Sequence, residues 1–201
     1  MPNSAPSEPL RAIATLRSAT GVSHKRLEKR LEIKRRFAHL SAYRVHLEKM
    51  WGFCAALEQQ LGPQVFGDAL DDYESRRKLP LLTQDLIAIG ASDVSVASLP
   101  QCTAVPNCRE TAAAFGCLYV SEGATLGGRT LLPLAQAQLG LTAQRGGRFL
   151  ASYGEEVSSK WHRFGMALDS WCCTPERQAR AAQAAVATFD ALEVWLCGAH
   201  V

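Results

Sequence analysis

Apolar residues recur every three or four positions along most of the chain. Leu10, Ile13, Leu16, Thr20, His24, Leu27 and Leu31 fall on one face of a helix expected over residues 8–33. A second stripe of Tyr43, Leu47, Met50, Trp51, Cys54, Leu57 and Leu61 predicts a helix over 40–61, stopped by Gly62-Pro63. Shorter helices are expected over 65–73 and 75–89, the latter kinked or begun at Pro80. Residues 90–108, with many Ser, Ala and Pro, read as a long loop. A long helical pattern over 109–140 carries Gly116, Gly123, Gly127, Gly128 and Pro133. Gly146-Gly147 then break the chain, and helices over 148–172 and 175–198 close it, with Pro175 suited to a first turn. No alternating run between turn signals predicts a strand. The expectation is an all-α, single-domain bundle of seven to eight helices over residues 8–201, after a loose tail at 1–7.

Composition narrows this only a little. The chain has 201 residues, 47% of them hydrophobic, and a formal net charge of +3, too mild by itself to argue for nucleic acid. No apolar run approaches the roughly 20 residues of a membrane span, and the first residues lack a secretory core, so no membrane partner and a cytoplasmic location are expected. Seven cysteines form no Cys-x-x-Cys pair, which suits reduced, mostly buried thiols. The run Lys25, Arg26, Lys29, Arg30, Lys34, Arg35, Arg36 is strongly basic. It reads either as a solvated helix face or as a docking patch for an acidic electron donor. Nucleic acid fits less well, since no aromatic side chains are interleaved for stacking.

Two features carry chemistry. His24 interrupts an otherwise apolar stripe, and an imidazole there must be hydrogen-bonded, open to a cleft, or bound to something. The stretch from Thr111 to Gly128 holds four glycines inside a helical pattern, each costing about 1 kcal/mol relative to Ala. Gly116, Gly123 and Gly127 share a face with Tyr119. Close helix packing explains such a face; so does the approach of something flat and large. Together, a His on one helix and a bare backbone on another suit a planar, mostly apolar macrocycle with an axial metal. Arg17 and Tyr119 suit acidic groups at its edge. Glu-x-x-His pairs, HExxH and phosphate-loop glycines are absent, which disfavours a di-iron bundle, a metalloprotease and a nucleotide site.

The segment Leu16-Arg17-Ser-Ala-Thr20-Gly-Val-Ser-His24-Lys-Arg-Leu27-Glu28 resembles the proximal-helix signature of the bacterial heme oxygenases. Tyr119-Val-Ser-Glu122-Gly123-Ala-Thr-Leu126-Gly127-Gly128, about a hundred residues on, resembles their distal-helix signature. Phe149 to Gly154 and Trp161 to Asp169 are similar to the same family, so the likeness runs over about 10–195. Its nearest look is to the biliverdin-producing enzymes associated with bacteriophytochromes.

The resemblance implies that heme is both cofactor and substrate. His24 is the implied iron ligand. Glu28, one turn on, holds the other ring nitrogen. Arg17, Thr20, Tyr119, Gly123 and Gly127 contact heme, and Gly123 and Gly127 leave room for dioxygen on the distal side. Gly123, Gly127 and Glu28 are the residues expected to serve the chemistry. The implied products are biliverdin, carbon monoxide and ferrous iron. Electrons come from an external donor such as ferredoxin or a reductase, and a bacteriophytochrome is an expected receiver of biliverdin. Lys160, His162 and Arg163 are further candidates for the heme propionates. One departure stands out: Ala124 follows the first distal glycine where many relatives carry Ser. It keeps open an alternative, a heme carrier or sensor on the same fold with weak or no turnover.

Overall fold

The computed structural model describes residues 11–198. Its helices in chain order are α1 (Arg11–Leu31), α2 (Ile33–Arg36), α3 (Leu40–Glu58), α4 (Pro63–Phe66), α5 (Leu79–Ala88), α6 (Asp93–Ala97), α7 (Thr111–Leu139), α8 (Arg148–Ala151), α9 (Val157–Trp171) and α10 (Pro175–Cys197). Three 3-10 turns, Gly67–Ala69, Tyr73–Arg76 and Gly154–Glu156, join them. The described residues form no strand beyond isolated bridges at Thr142. The expected tail at 1–7, Leu10 and His200 lie outside the described residues.

Six helices of ten residues or more form the frame, and the short ones divide segments expected to be single. Glu32 adopts a left-handed conformation (φ 45°) and separates α1 from α2. The helix expected over 75–89 starts at Leu79, with Pro80 in its first turn. Its opening N–H groups, from Lys78 and Leu79, donate to the Glu58 carboxylate at 2.6 and 3.0 Å. Inside the expected loop 90–108, Ser92 and Ser95 form a reciprocal capping box that nucleates α6. The pattern over 109–140 is one continuous helix, with Pro133 inside it.

α10 packs against both α1 and α7. Its alanines 181, 184 and 185 are buried, and α7 is buried from Ala112 to Val120. Gly116 lets the two helices close up: a Cβ there would lie 2.0 Å from the Ala181 carbonyl oxygen. Polar contacts fix α1. The Asp169 carboxylate of α9 accepts from the Arg11 and Ala12 N–H groups at 2.8 and 2.6 Å, capping the start of α1. Along the side facing α10, Arg26 bonds Asp190 and Glu193, and Arg30 bonds Glu193. Arg36 donates to the Leu31 and Leu196 carbonyls, and Arg35 pairs with Glu32. The basic run is therefore only partly a solvated face: several of its arginines fasten the first helices, and Lys25, Lys29 and Lys34 remain exposed. All seven cysteines are free, and five are buried. Among the described residues no helix is long and apolar enough to cross a membrane.

Candidate functional site

A cavity of about 610 Å³ opens between α1, α7 and α10. That volume lies within the roughly 300–1,000 Å³ of ligand pockets. Its walls are mostly apolar: Leu27 and Leu31 from α1, Met50 from α3, Leu131 from α7, and Phe189, Leu192 and Leu196 from α10 all line it. Arg17, Thr20, His24, Glu28, Tyr119, Gly123 and Gly127 line it too. Two segments about a hundred residues apart thus supply opposing walls of one space.

His24 is half exposed rather than buried, its side chain 53% accessible, and it opens onto the cavity. α1 turns Ala12, Ile13, Leu16, Thr20, Ser23 and Leu27 inward instead. The Nδ1 of His24 faces Glu28 Oε2 at 3.5 Å, which leaves Nε2 as the nitrogen turned away from that carboxylate. Phe189 meets the imidazole edge-on, with ring centroids 5.6 Å apart and an interplanar angle of 85°. Phe189 is therefore part of the cavity wall as well as of the core.

The distal glycines face open space. A Cβ built on Gly123 or Gly127 would meet nothing from elsewhere in the molecule within 4 Å. Gly128 differs: its Cβ would lie 2.3 Å from the Leu150 carbonyl oxygen. Ala124 and Thr125 also line the cavity. The Thr125 hydroxyl donates to the Glu122 carbonyl at 2.6 Å. Tyr119 is buried, its ring 5.8 Å from Trp161, so it stands inside the cavity rather than at a surface edge. At the rim stand two cations, Arg17 and Lys25.

Lys160, His162 and Arg163 do not line this space. Lys160 is buried with its ammonium on Asp72 at 2.9 Å, while His162 and Arg163 are exposed on α9. His46 is buried against the cavity with its Nδ1 unpartnered. Burial, reinforced by the charge of Arg36, lowers its pKa to about 3, so its ring is neutral. The signal for it was available: His46 follows Tyr43 and precedes Met50 at helical spacing on the buried stripe of α3. Nothing local to the sequence marks Lys25 apart from its basic neighbours.

A residue set fit for a planar macrocycle is present: one imidazole with a free nitrogen, a wall without side chains opposite, an apolar surround and cations at the rim. Among the described residues no cluster of three or more His, Cys, Asp or Glu could cage a metal, which speaks against a di-iron centre. A second, more open depression of about 550 Å³ at the start of α7 is lined by Gln59, Gln60, Gln64 and Arg109. There Gln60 accepts from the Cys108 N–H and Thr111 donates to the Val65 carbonyl, so its polar groups serve the local fold.

Comparison with known proteins matches this architecture. The family model described as heme oxygenase covers residues 10–197. The NO- and CO-bound heme oxygenase of Neisseria meningitidis superposes with a TM-score of 0.78 at 25% identity, covering 92% of this chain and 89% of that one. The heme oxygenase of Leptospira interrogans superposes with a TM-score of 0.77 at 20% identity, over 92% and 98% of the two chains, a likeness of fold. No curated protein matches the chain.

Proposed function

The chain belongs to the heme oxygenase family, an enzyme family that degrades heme and uses it as both substrate and prosthetic group; from that premise we propose that it opens heme to biliverdin, carbon monoxide and ferrous iron, held between His24 and the backbone at Gly123 and Gly127. The observation that carries this reading is the convergence of Arg17, Thr20, His24, Glu28, Tyr119, Gly123 and Gly127 on one cavity.

Bound heme supplies the redox-active iron and the macrocycle that is oxidised. The protein supplies the rest. Glu28, its Oε2 3.5 Å from Nδ1 of His24, would favour a proton on that nitrogen and leave Nε2 to hold the iron. Phe189 limits rotation of that ring. Gly123 and Gly127, with open space where side chains would stand, would leave room for dioxygen and water beside bound heme. Arg17 and Lys25, at the rim, would hold the propionate carboxylates, and the apolar walls would exclude bulk water. Electrons come from an external ferredoxin or reductase. Lys29 and Lys34 are exposed cations of α1 and α2 left to steer an acidic donor. A single domain over 8–201, a cytoplasmic location and a bacteriophytochrome receiving the pigment complete the proposal.

One observation favours a second reading. Ala124 presents a methyl group to the cavity, and the neighbouring Thr125 hydroxyl donates to the helix backbone. A heme carrier or sensor would need no better. Incubation with hemin, ascorbate and oxygen separates the two: the enzyme loses its Soret band and yields a biliverdin spectrum, while a carrier keeps the band. His24→Ala is expected to abolish turnover, a loss beyond the roughly 10–100-fold typical of outer-shell partners. Its melting temperature should stay near wild type, because the side chain is half exposed. Unchanged biliverdin yield in His24→Ala would remove the ligand assignment.

A further inference from the structure

The stretch of α7 that faces the cavity is intrinsically weak. It contains Gly123, Gly127 and Gly128, and Thr125 and Thr130 turn their hydroxyls back onto the Glu122 and Gly127 carbonyls at 2.6 and 2.8 Å. Glycines and back-bonded hydroxyls both let helices bend. On the cavity side nothing touches Gly123 or Gly127. Whatever fixes this stretch must act from elsewhere.

The segment 150–153 does so at both ends. At one end the Leu150 carbonyl packs on Gly128, too close for a side chain. At the other, the Tyr153 hydroxyl donates to Glu122 Oε1 at 2.6 Å. Glu122 is almost fully buried, and the same oxygen accepts from Lys78 Nζ at 2.8 Å while Oε2 accepts from Arg76 Nη1 at 2.7 Å. Lys78 also bonds the Tyr153 oxygen and lies 4.2 Å from the ring centroid. Three chain segments, 76–78, 150–153 and α7 itself, thus meet at the carboxylate that immediately precedes Gly123. The segment itself is held under strain. Ser152 is a non-glycine residue at φ 45°, its hydroxyl is buried without a partner, and Gly154 follows at φ 57°. Such conformations persist only where surroundings over-determine them. Here Asp85 anchors the Arg148 and Phe149 N–H groups at 2.8 and 2.7 Å on one side, and Tyr153 anchors the other.

We propose that Tyr153 and Glu122 are positioning residues: with Leu150 on Gly128 they clamp α7 at both ends of its glycine stretch and set how far the backbone at Gly123 and Gly127 stands from the substrate. The clamp rests on the reading of those glycines as the wall facing heme, but its first test does not. Hydrogen exchange is measured on the heme-free full chain for wild type, Tyr153→Phe and Ser152→Gly. Tyr153→Phe keeps the ring on Lys78 and loses only the hydroxyl; Ser152→Gly relieves the strained φ and loosens the segment. Both should speed exchange over 122–128, Tyr153→Phe by roughly tenfold to a hundredfold, as expected when a charge-assisted hydrogen bond is lost. Exchange over 111–120 should stay at wild-type rates, and Ser152→Gly should melt no lower than wild type. The second readout is the carbon monoxide stretch of the reduced, CO-bound heme complex, which should shift from wild type in the same direction in both variants. Unaltered exchange over 122–128, acceleration spread evenly over α3, α7 and α10, or an unmoved CO band would each overturn the clamp. Failure of wild type to bind hemin through His24 would instead sink the functional reading and leave the exchange result standing.

Discussion

Two pairs of glycines on α7 behave in opposite ways. Gly116 and Gly128 are closed: each has a carbonyl oxygen, from Ala181 or Leu150, where a Cβ would need to be. Gly123 and Gly127 are open, with nothing inside 4 Å. Gly116 sits where α10 presses its alanines on α7, whereas further along the cavity lies between the two helices, lined by Tyr119 and Val120 on one side and Phe189 and Leu192 on the other. A glycine-rich helix thus serves two ends at once. The closed pair brings backbones together, and the open pair keeps side chains out of the cavity, the binding space of the proposed function. Close packing and a bare binding face, alternatives on sequence, both occur on one helix.

The largest effect should come from the closed pair. In Gly116→Ala the new methyl would stand 2.0 Å from the Ala181 oxygen and 3.0 Å from the Ala184 Cβ, so α7 and α10 must part. Overpacking of this kind costs about 3 kcal/mol, a fall of roughly 6–12 °C in melting temperature for a chain of this size. An unchanged melting curve would break the contrast at its strongest point. Gly128→Ala should cost less, about 1–2 kcal/mol, because its obstacle stands at 2.3 Å rather than 2.0 Å and belongs to the four-residue α8 rather than to a long helix. Since Leu150 also lines the cavity, hemin affinity should fall along with stability. A hemin titration beside a thermal melt would show whether the two move together.

Much of this was legible in sequence. The apolar stripes placed the long helices, because period 3.6 survives wherever one face is buried. The two motifs placed both walls of the cavity. What escaped depends on partners distant in sequence. Arg26 and Arg30 belong to a basic run whose neutralising carboxylates, Asp190 and Glu193, lie more than 160 residues away on α10. No local pattern links Arg76, Lys78, Glu122 and Tyr153, since all four hydrogen bonds on and around that carboxylate are donated from loops or turns without period. The stripe on α1 did predict its buried side, but it put His24 inside by one step of helical phase: Ser23 is buried, and His24 looks into the cavity. A site residue on the margin of an apolar stripe satisfies both the fold and the ligand, so periodicity alone cannot tell the margin from the centre.

The smallest effect is the sharpest test of the open pair, because its sign is opposite. Ala in place of Gly inside a helix stabilises by roughly 0.5–1 kcal/mol when its methyl group meets nothing. Gly123→Ala and Gly127→Ala should therefore raise the melting temperature of the heme-free protein by about 1–4 °C each. On the proposed function the same methyl projects into the space for dioxygen and water, so biliverdin yield per bound heme should fall even as the apoprotein gains stability. Larger side chains at either position should deepen the loss of turnover more than the loss of hemin affinity. A stable, hemin-binding Gly123→Ala protein with full turnover would mean that the open face is not the distal wall. A destabilised apoprotein would mean that the face is not open. Only a wall kept bare for a ligand gains stability and loses activity from one carbon atom.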